Sequence, residues 1–446
     1  MLDRDGYHAR NIGSGLTKMS KLDIKWPDDM AEQTRVAKGR LERAGHALRA
    51  MSLEERLHLV CLALEDWTKA DSSWRRELTV AYSEGSPFHE ETIREGLDSA
   101  LRAWRPDALR ECAKRELSPI LDSPSTELSP FPWIAVLAGG SIPMPTLLSG
   151  LLPLILGSPV LMREASGDQI TATLLKRSLE ARSEVLSDAF EHISFSSEDP
   201  AFKELLTAPC VVATGSDETI RAISNRLEPH QRLVAYGHQF SIGLVGSEID
   251  FGQDALRRLS DAFALDIVRW DQTGCLSPVI IYLVGLDRRA SLDFADSLSR
   301  SLDQLHERSP RGELSMATRA SLANEIAEAQ MRQLEGSSKL FEGHDSIVSL
   351  ENDATNRPAP LHRFIRLMPT ASLADLRETL TSFAGHLSSV GSIGLPLDAD
   401  RELRELLHRI GVSRITSPGR LQTPPVDWPH DGMPLLSPMI RFIQSD

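Results

Sequence analysis

From residue 131 onward, short apolar runs alternate with amphipathic stretches of helical spacing, and this alternation most restricts the folds open to the chain. The runs over 131–138, 159–163, 191–195, 209–213 and 232–236 predict strands. Between them, the segments 146–156, 168–183 and 217–226 space their apolar residues three and four apart, which predicts helices. Strand and helix in turn argue for a parallel, doubly wound sheet, because joining parallel strands takes a crossover and a helix usually provides it. Such sheets bind ligands at the carboxyl ends of their strands, so a nucleotide-binding unit is expected here. After Gly246 the pattern resumes with helices over 253–265, 290–307, 315–335, 373–386 and 399–410. Strands over 279–284, 362–367 and 390–394 complete a second α/β unit.

Before these units lies a helical layer, roughly 28–115, with Leu53, Leu57, Val60, Leu64 and Trp67 on one stripe. Ser52 and Glu55 stand at capping-box spacing at the head of its second helix. The expected organisation is a helical N-terminal region over 1–125, a Rossmann-type unit over 126–248, a catalytic unit over 249–395 and a C-terminal segment, 396–446, returning toward the first unit.

With 446 residues, 41% of them hydrophobic, the chain can bury a large core. A formal charge of −14 argues against nucleic acid as a partner, while leaving room for a local basic pocket. The longest apolar stretch, 147–162, is broken by Gly150, Pro153, Gly157 and Pro159 and reads as a buried helix and a strand, not a membrane span. Residues 1–26 carry no signal-type hydrophobic segment, and four irregularly spaced cysteines suit a reducing cytoplasm.

Three of those cysteines, Cys61, Cys112 and Cys210, fall inside apolar patterns and read as core. Cys275 differs, lying in Thr273-Gly274-Cys275-Leu276-Ser277-Pro278 among small and polar residues just before a strand. From its residues alone this loop presents either a nucleophile or an incidental thiol. No Gly-x-Gly-x-x-Gly and no P-loop occurs, so phosphates would be held differently. The turn Ala213-Thr214-Gly215-Ser216 leads from a strand into a helix whose first amides suit a pyrophosphate.

Taken in order, these pieces resemble the aldehyde dehydrogenase superfamily, and more closely its bacterial acyl-CoA and fatty-acyl reductases of the LuxC type. The landmarks are Leu137-Ala138-Gly139-Gly140-Ser141-Ile142-Pro143, the strand ending in Arg163, the Thr214 turn, the Cys275 loop, Ala359-Pro360-Leu361-His362-Arg363, and the tail Gly419-Arg420-Leu421-Gln422 with Trp428-Pro429-His430-Asp431-Gly432. They cover about 131–442.

The resemblance implies an aldehyde-dehydrogenase-like fold and a Cys275 nucleophile that forms an acyl-enzyme. Arg163 stands where the superfamily usually has a lysine, which hints at a 2′-phosphate and hence NADPH, with NADH open; an ion pair with Glu164 is the alternative. Ser166, Thr214, Gly215 and Ser216 are expected beside the cofactor. Ala235 replaces the glutamate that activates water in hydrolytic members, so release of a free acid is disfavoured. Ser141 replaces the asparagine that donates to the oxyanion, and His238 is a candidate proton donor or a structural histidine. His430 and Asp431 either cap the site or form a polar turn, and the carboxylates of 349–353 read as a solvated turn. The expected activity is NADPH-dependent reduction of an acyl-CoA or acyl-carrier thioester to an aldehyde. The alternatives are a CoA-acylating aldehyde dehydrogenase and a non-catalytic scaffold subunit. A homo-oligomer and an acyl-activating synthetase partner follow from the resemblance alone.

Overall fold

The computed structural model describes residues 29–121, 126–140, 142–165, 168, 170–352, 357 and 359–444. Ser141 and Ser166, both expected at the site, lie outside them.

Five helices come first: α1 (Met30–Ala50), α2 (Leu53–Thr68), α3 (Ser73–Gly85), α4 (Glu90–Ala103) and α5 (Pro106–Leu121). The capping box at the start of α2 forms in full, Ser52 accepting from the Glu55 amide while the Glu55 carboxylate accepts from the Ser52 amide. The Leu57, Val60, Leu64 and Trp67 stripe, with Cys61, is buried.

After β1 (Thr126–Pro130) the chain builds β2 (Ile134–Leu137), α6 (Pro143–Ile155), β3 (Val160–Arg163), α7 (Thr171–Glu180), α8 (Glu184–Asp188), β4 (Phe190–Ile193), α9 (Ala201–Leu205), β5 (Cys210–Thr214), α10 (Asp217–Ser224) and β6 (Arg232–Tyr236). These give a five-stranded parallel sheet of order β4-β3-β2-β5-β6. Both faces are covered, which is why its strands are apolar without polar alternation. In β2, Ile134 and Val136 face the core shared with α2 to α7, and Ala135 and Leu137 face the opposite core with Leu205 and Ile223. Strand order reverses between β2 and β5, opening a crevice at their carboxyl ends.

The second sheet follows with β7 (Phe240–Gly246), α11 (Gln253–Val268), β8 (Pro278–Val284), α12 (Arg288–His306), α13 (Met316–Leu334), β9 (Ser338–Glu342), β10 (Ile347–Glu351), β11 (Phe364–Thr370), α14 (Leu373–Ser382), β12 (Leu387–Ile393), α15 (Leu397–Ile410) and β13 (Arg414–Thr416). Its order is β13-β12-β7-β8-β11-β10-β9, parallel except for the edge strand β9. Two expectations are corrected. The boundary at 248 leaves β7 in the first unit, yet β7 pairs with β8 and β12, so the passage between sheets falls at 237–239. Glu351 does not sit in a solvated turn; it ends β10, fully buried against Arg366. Burial of a carboxylate needs such a partner, which 15 residues of separation concealed.

The C-terminal segment returns to the first sheet, where β14 (Ile440–Gln444) pairs antiparallel with β1. Glu116 of α5 anchors it, its carboxylate accepting the amides of Leu435, Leu436 and Ser437 at 2.8, 2.8 and 3.0 Å. Arg232 adds bonds to the carbonyls of Pro438 and Ile440. Glu116→Ala is expected to lower unfolding free energy by about 2–3 kcal/mol, since several charge-assisted bonds disappear together. Denaturant titration checks this, and limited proteolysis should then cut the tail ahead of the sheets.

Candidate active site

Residues 269–278 connect α11 to β8 and carry Cys275. Trp270, Asp271 and Gln272 all have positive φ (52°, 48° and 63°), a conformation that costs an L-residue about 1–2 kcal/mol. Leu361, His362 and Arg363 do the same (62°, 54° and 68°). The two left-handed turns are locked together. The buried Arg363 guanidinium donates Nε and Nη2 to Asp271 Oδ1 at 2.9 and 2.6 Å and Nη1 to Asp345 Oδ2 at 2.8 Å. Asp271 Oδ2 accepts the Gly312 amide at 3.0 Å, and Asp345 accepts the Arg311 amide and faces His306 Nδ1 at 2.7 Å. Burial alone would raise the Asp345 carboxyl; Arg363 and these bonds hold it below the usual range. On the other side, Trp270 packs so closely on α4 that a Cβ at Gly96 would meet its ring at 2.5 Å.

The loop itself is tied at nearly every residue. Thr273 Oγ1 donates to the Trp270 carbonyl, Gln272 Nε2 to the Pro278 carbonyl, and the Ser277 amide to the Gly274 carbonyl. Ser241, at the start of β7, donates to the Cys275 carbonyl at 2.8 Å. Gln422 of the tail bonds Ser277 Oγ, while the Asp266 carboxylate of α11 holds the Gly419 and Leu421 amides. The hydroxyls of Thr273 and Ser277 thus serve the loop's shape. Ser241 and Asp266 carry no local sequence signal for such a role.

Cys275 opens into a cavity of ≈ 150 Å³ between the carboxyl ends of β5 and β6 and the loop before β8. That is about the size of a cavity that takes up a benzene-sized apolar guest. Its walls are Ala100 of α4 and Trp104 after it, Ile142, Met144, Leu148 and Leu152 around α6, Trp270, and Pro424, Val426, Trp428 and Leu435 of the tail. Thr214, Tyr236, Gln422 and His430 supply polar groups, and the lining contains no carboxylate, lysine or arginine among the described residues. Cys275 is exposed along the cavity, yet the apolar walls crowding its sulfur desolvate the thiol and push it up to about 11, aided by the Asp431 charge, while the amides of Cys275 and Leu276 pull the other way. Cys61, Cys112 and Cys210 are raised to about 11, 12 and 12 by burial as well, so access to the cavity, not acidity, distinguishes Cys275.

The tail contributes His430, stacked on Tyr236 with ring centroids 4.6 Å apart and tilted against Trp428 at 4.9 Å. Its Nε2 lies 3.5 Å from Asp431 Oδ1. His238, by contrast, is exposed and outside the lining; its amide bonds Asp217, and its carbonyl faces His386. Of the two histidines near the Cys275 loop, the structure brings His430 to the thiol's cavity and leaves His238 outside.

At the end of β3, Arg163 donates Nε to the Phe195 carbonyl at 2.9 Å and lies over the rings of Phe195 and Phe202. The alternative pairing with Glu164 is not formed, because Glu164 faces His192 at 3.1 Å. Gly139 lets β2 and β5 converge, since a Cβ there would collide with the Thr214 carbonyl, and Gly140 (φ 84°) has open space beside it. Thr214 ends β5 and lines the cavity, whereas Ser216 caps α10 by accepting the Thr219 amide. Asp217 and Glu218 occupy the first turn of α10 and compete with any phosphate there.

A family model described as Acyl-CoA reductase (LuxC) matches residues 48–442. The long-chain acyl-protein thioester reductase 2 of Photobacterium leiognathi is 24% identical over 320 residues, which cover 70% of this chain and 63% of that protein, less than two thirds of its length. Aldehyde dehydrogenase 21 from Physcomitrella patens, solved with succinate, aligns with a TM-score of 0.69 at 13% identity over 92% of this chain and 89% of that one. The glyceraldehyde-3-phosphate dehydrogenase GapN from Methanocaldococcus jannaschii, solved with NADP, aligns at 0.68 and 10% identity over 95% of each chain. The aldehyde-dehydrogenase-like fold expected from the sequence is therefore present.

Asp271→Ala strands the Arg363 guanidinium in the core and is expected to lower unfolding free energy by about 3–5 kcal/mol. Denaturant unfolding measures it; a loss under about 1 kcal/mol would contradict the locking role.

Proposed function

The chain belongs to the acyl-CoA reductase (LuxC) family, and from that premise we propose that it reduces acyl thioesters to aldehydes through an acyl-enzyme on Cys275. One observation carries the reading: a single accessible cysteine faces an apolar cavity with no carboxylate in its wall among the described residues. Such a wall takes an acyl chain and sets no carboxylate against the acyl carbon to activate water, so an acyl-cysteine formed there would survive until a stronger donor arrived. Ala235, beside Tyr236, is consistent with this, as nothing at that position activates water. Sγ adds to the thioester carbonyl, the carbon–sulfur bond of the thioester breaks and its sulfur leaves, and the Cys275 and Leu276 amides favour the anionic form of the attacking sulfur. The family's long-chain relatives suggest fatty acyl groups, and both CoA and a carrier protein suit the open thiol.

A bound nicotinamide cofactor supplies the hydride that turns the acyl group into aldehyde. The residues present fit one. Thr214, Gly215 and the open Gly140 border the crevice, and Arg163 is oriented by Phe195 and Phe202 with no carboxylate partner among the described residues. This favours the 2′-phosphate of NADPH over NADH. The same missing base would serve acyl transfer to CoA in the reverse direction, and comparing initial rates both ways ranks the two. The reading extends to a cytoplasmic homo-oligomer and to an acyl-activating synthetase that supplies the thioester, tested by light scattering and by co-purification. Among the described residues no helix is long and apolar enough to cross a membrane.

Purified protein given NADPH and acyl-CoAs of graded chain length should consume both and yield aldehyde. Cys275→Ala should lower turnover by more than about 10³-fold; full activity in that variant, or no turnover with any thioester, overturns the proposal. Arg163→Ala should raise the KM for NADPH about 10- to 100-fold and leave that for NADH nearly unchanged, as loss of charge-assisted bonds would.

A further inference from the structure

If Cys275 attacks thioesters, it starts from a thiol that its surroundings keep protonated, and something in the cavity must take the proton. The titratable side chains in the lining are Cys275, Tyr236 and His430. Burial pushes the Tyr236 hydroxyl up to about 12, which unfits it as a base. His430 is held flat on that tyrosine and against Trp428, so its ring has a set orientation at the wall. Behind it, Asp431 takes φ 54° within the short turn His430–Gly432, and its Oδ1 lies 3.5 Å from His430 Nε2. That oxygen is buried and makes no hydrogen bond among the described residues. The Asp431 charge reaches both Cys275 and Tyr236.

We propose that His430 and Asp431 form the proton relay of the Cys275 site, His430 as the catalytic group at the cavity wall and Asp431 as the residue that positions and charges it. As the Sγ–C bond forms, the thiol proton passes to the His430 nitrogen turned away from Asp431, and the carboxylate balances the imidazolium. As the thioester C–S bond breaks, the same proton goes to the departing sulfur, which leaves as a thiol, and the pair returns to its starting state. No oxidant or reductant takes part. The environment suits a pair sharing one proton: burial draws the imidazole down to about 4 and lifts the Asp431 carboxyl to about 7. The other groups facing it are Tyr236 of β6 and Cys275 of the loop; Glu116 of α5, which acts on Tyr236, has its carboxylate occupied by the tail amides.

The inference rests on Cys275 as nucleophile, and the experiment separates the two. Full-length protein is mixed with an acyl-CoA and no cofactor, released thiol and acylated Cys275 are followed against pH, and iodoacetamide alkylation of Cys275 is measured in parallel by mass spectrometry. Wild-type acylation should rise with pH through about 7, where the carboxyl ionises and the pair becomes a base. Asp431→Asn and His430→Gln should lower acylation about 10²- to 10⁴-fold, and Asp431→Asn should also erase that inflection. Alkylation of Asp431→Asn should become faster, because removing the neighbouring negative charge lowers the thiol's pKa. Unchanged acylation in both variants, or acylation and alkylation falling together as in a damaged site, overturns the relay. A wild-type protein that never acylates Cys275 overturns the nucleophile and the relay with it.

Discussion

The fork that Arg363 makes between Asp271 and Asp345 is the interaction on which the rest of the molecule's working geometry depends. A guanidinium with no solvent exposure cannot exist without its carboxylates, and neither carboxylate is near it in sequence, one 92 and the other 18 residues away. By joining them it closes two strained left-handed turns against each other, one leading to Cys275 and one leading into β11. The strain is confined where ion pairing over-determines the backbone. From that clamp the loop reaches out to α4 through Trp270, to β7 through Ser241 and to the tail through Gln422. The thiol is placed by long-range pairing more than by its neighbours in the chain.

Around the thiol the dominant physics is desolvation. The cavity wall is almost wholly apolar, and it moves each ionisable group near it toward neutrality: Cys275 and Asp431 upward, His430 downward. The end of β3 is built differently, with Arg163 held by the Phe195 carbonyl and the faces of Phe195 and Phe202.

Much of this was legible residue by residue. The double-faced burial of β2, β5 and β8 makes continuous apolar runs that mark parallel strands. The Ser52–Glu55 box and the buried cysteines follow local patterns as well. Other features were not legible, for identifiable reasons. β7 reads as a continuation of the first unit because periodicity says nothing about which sheet a strand joins. Glu351 reads as solvated because its partner, Arg366, lies in another strand. His238 and His430 are both histidines in polar turns; only the path of the tail, fixed by Glu116 and Asp266, puts one beside the thiol and leaves the other exposed.

By itself, then, the sequence determined the alternation of strand and helix, the helical layer, the core cysteines and the singular loop of Cys275, since each depends on spacing and side-chain chemistry within one segment. Contacts between distant segments set the rest: that Arg163 avoids Glu164, that Arg363 locks the loop, and that His430, with Asp431 behind it, stands at the apolar cavity. Those facts depend on contacts between segments tens to hundreds of residues apart. Burial there sets charge states and partners that no local pattern encodes.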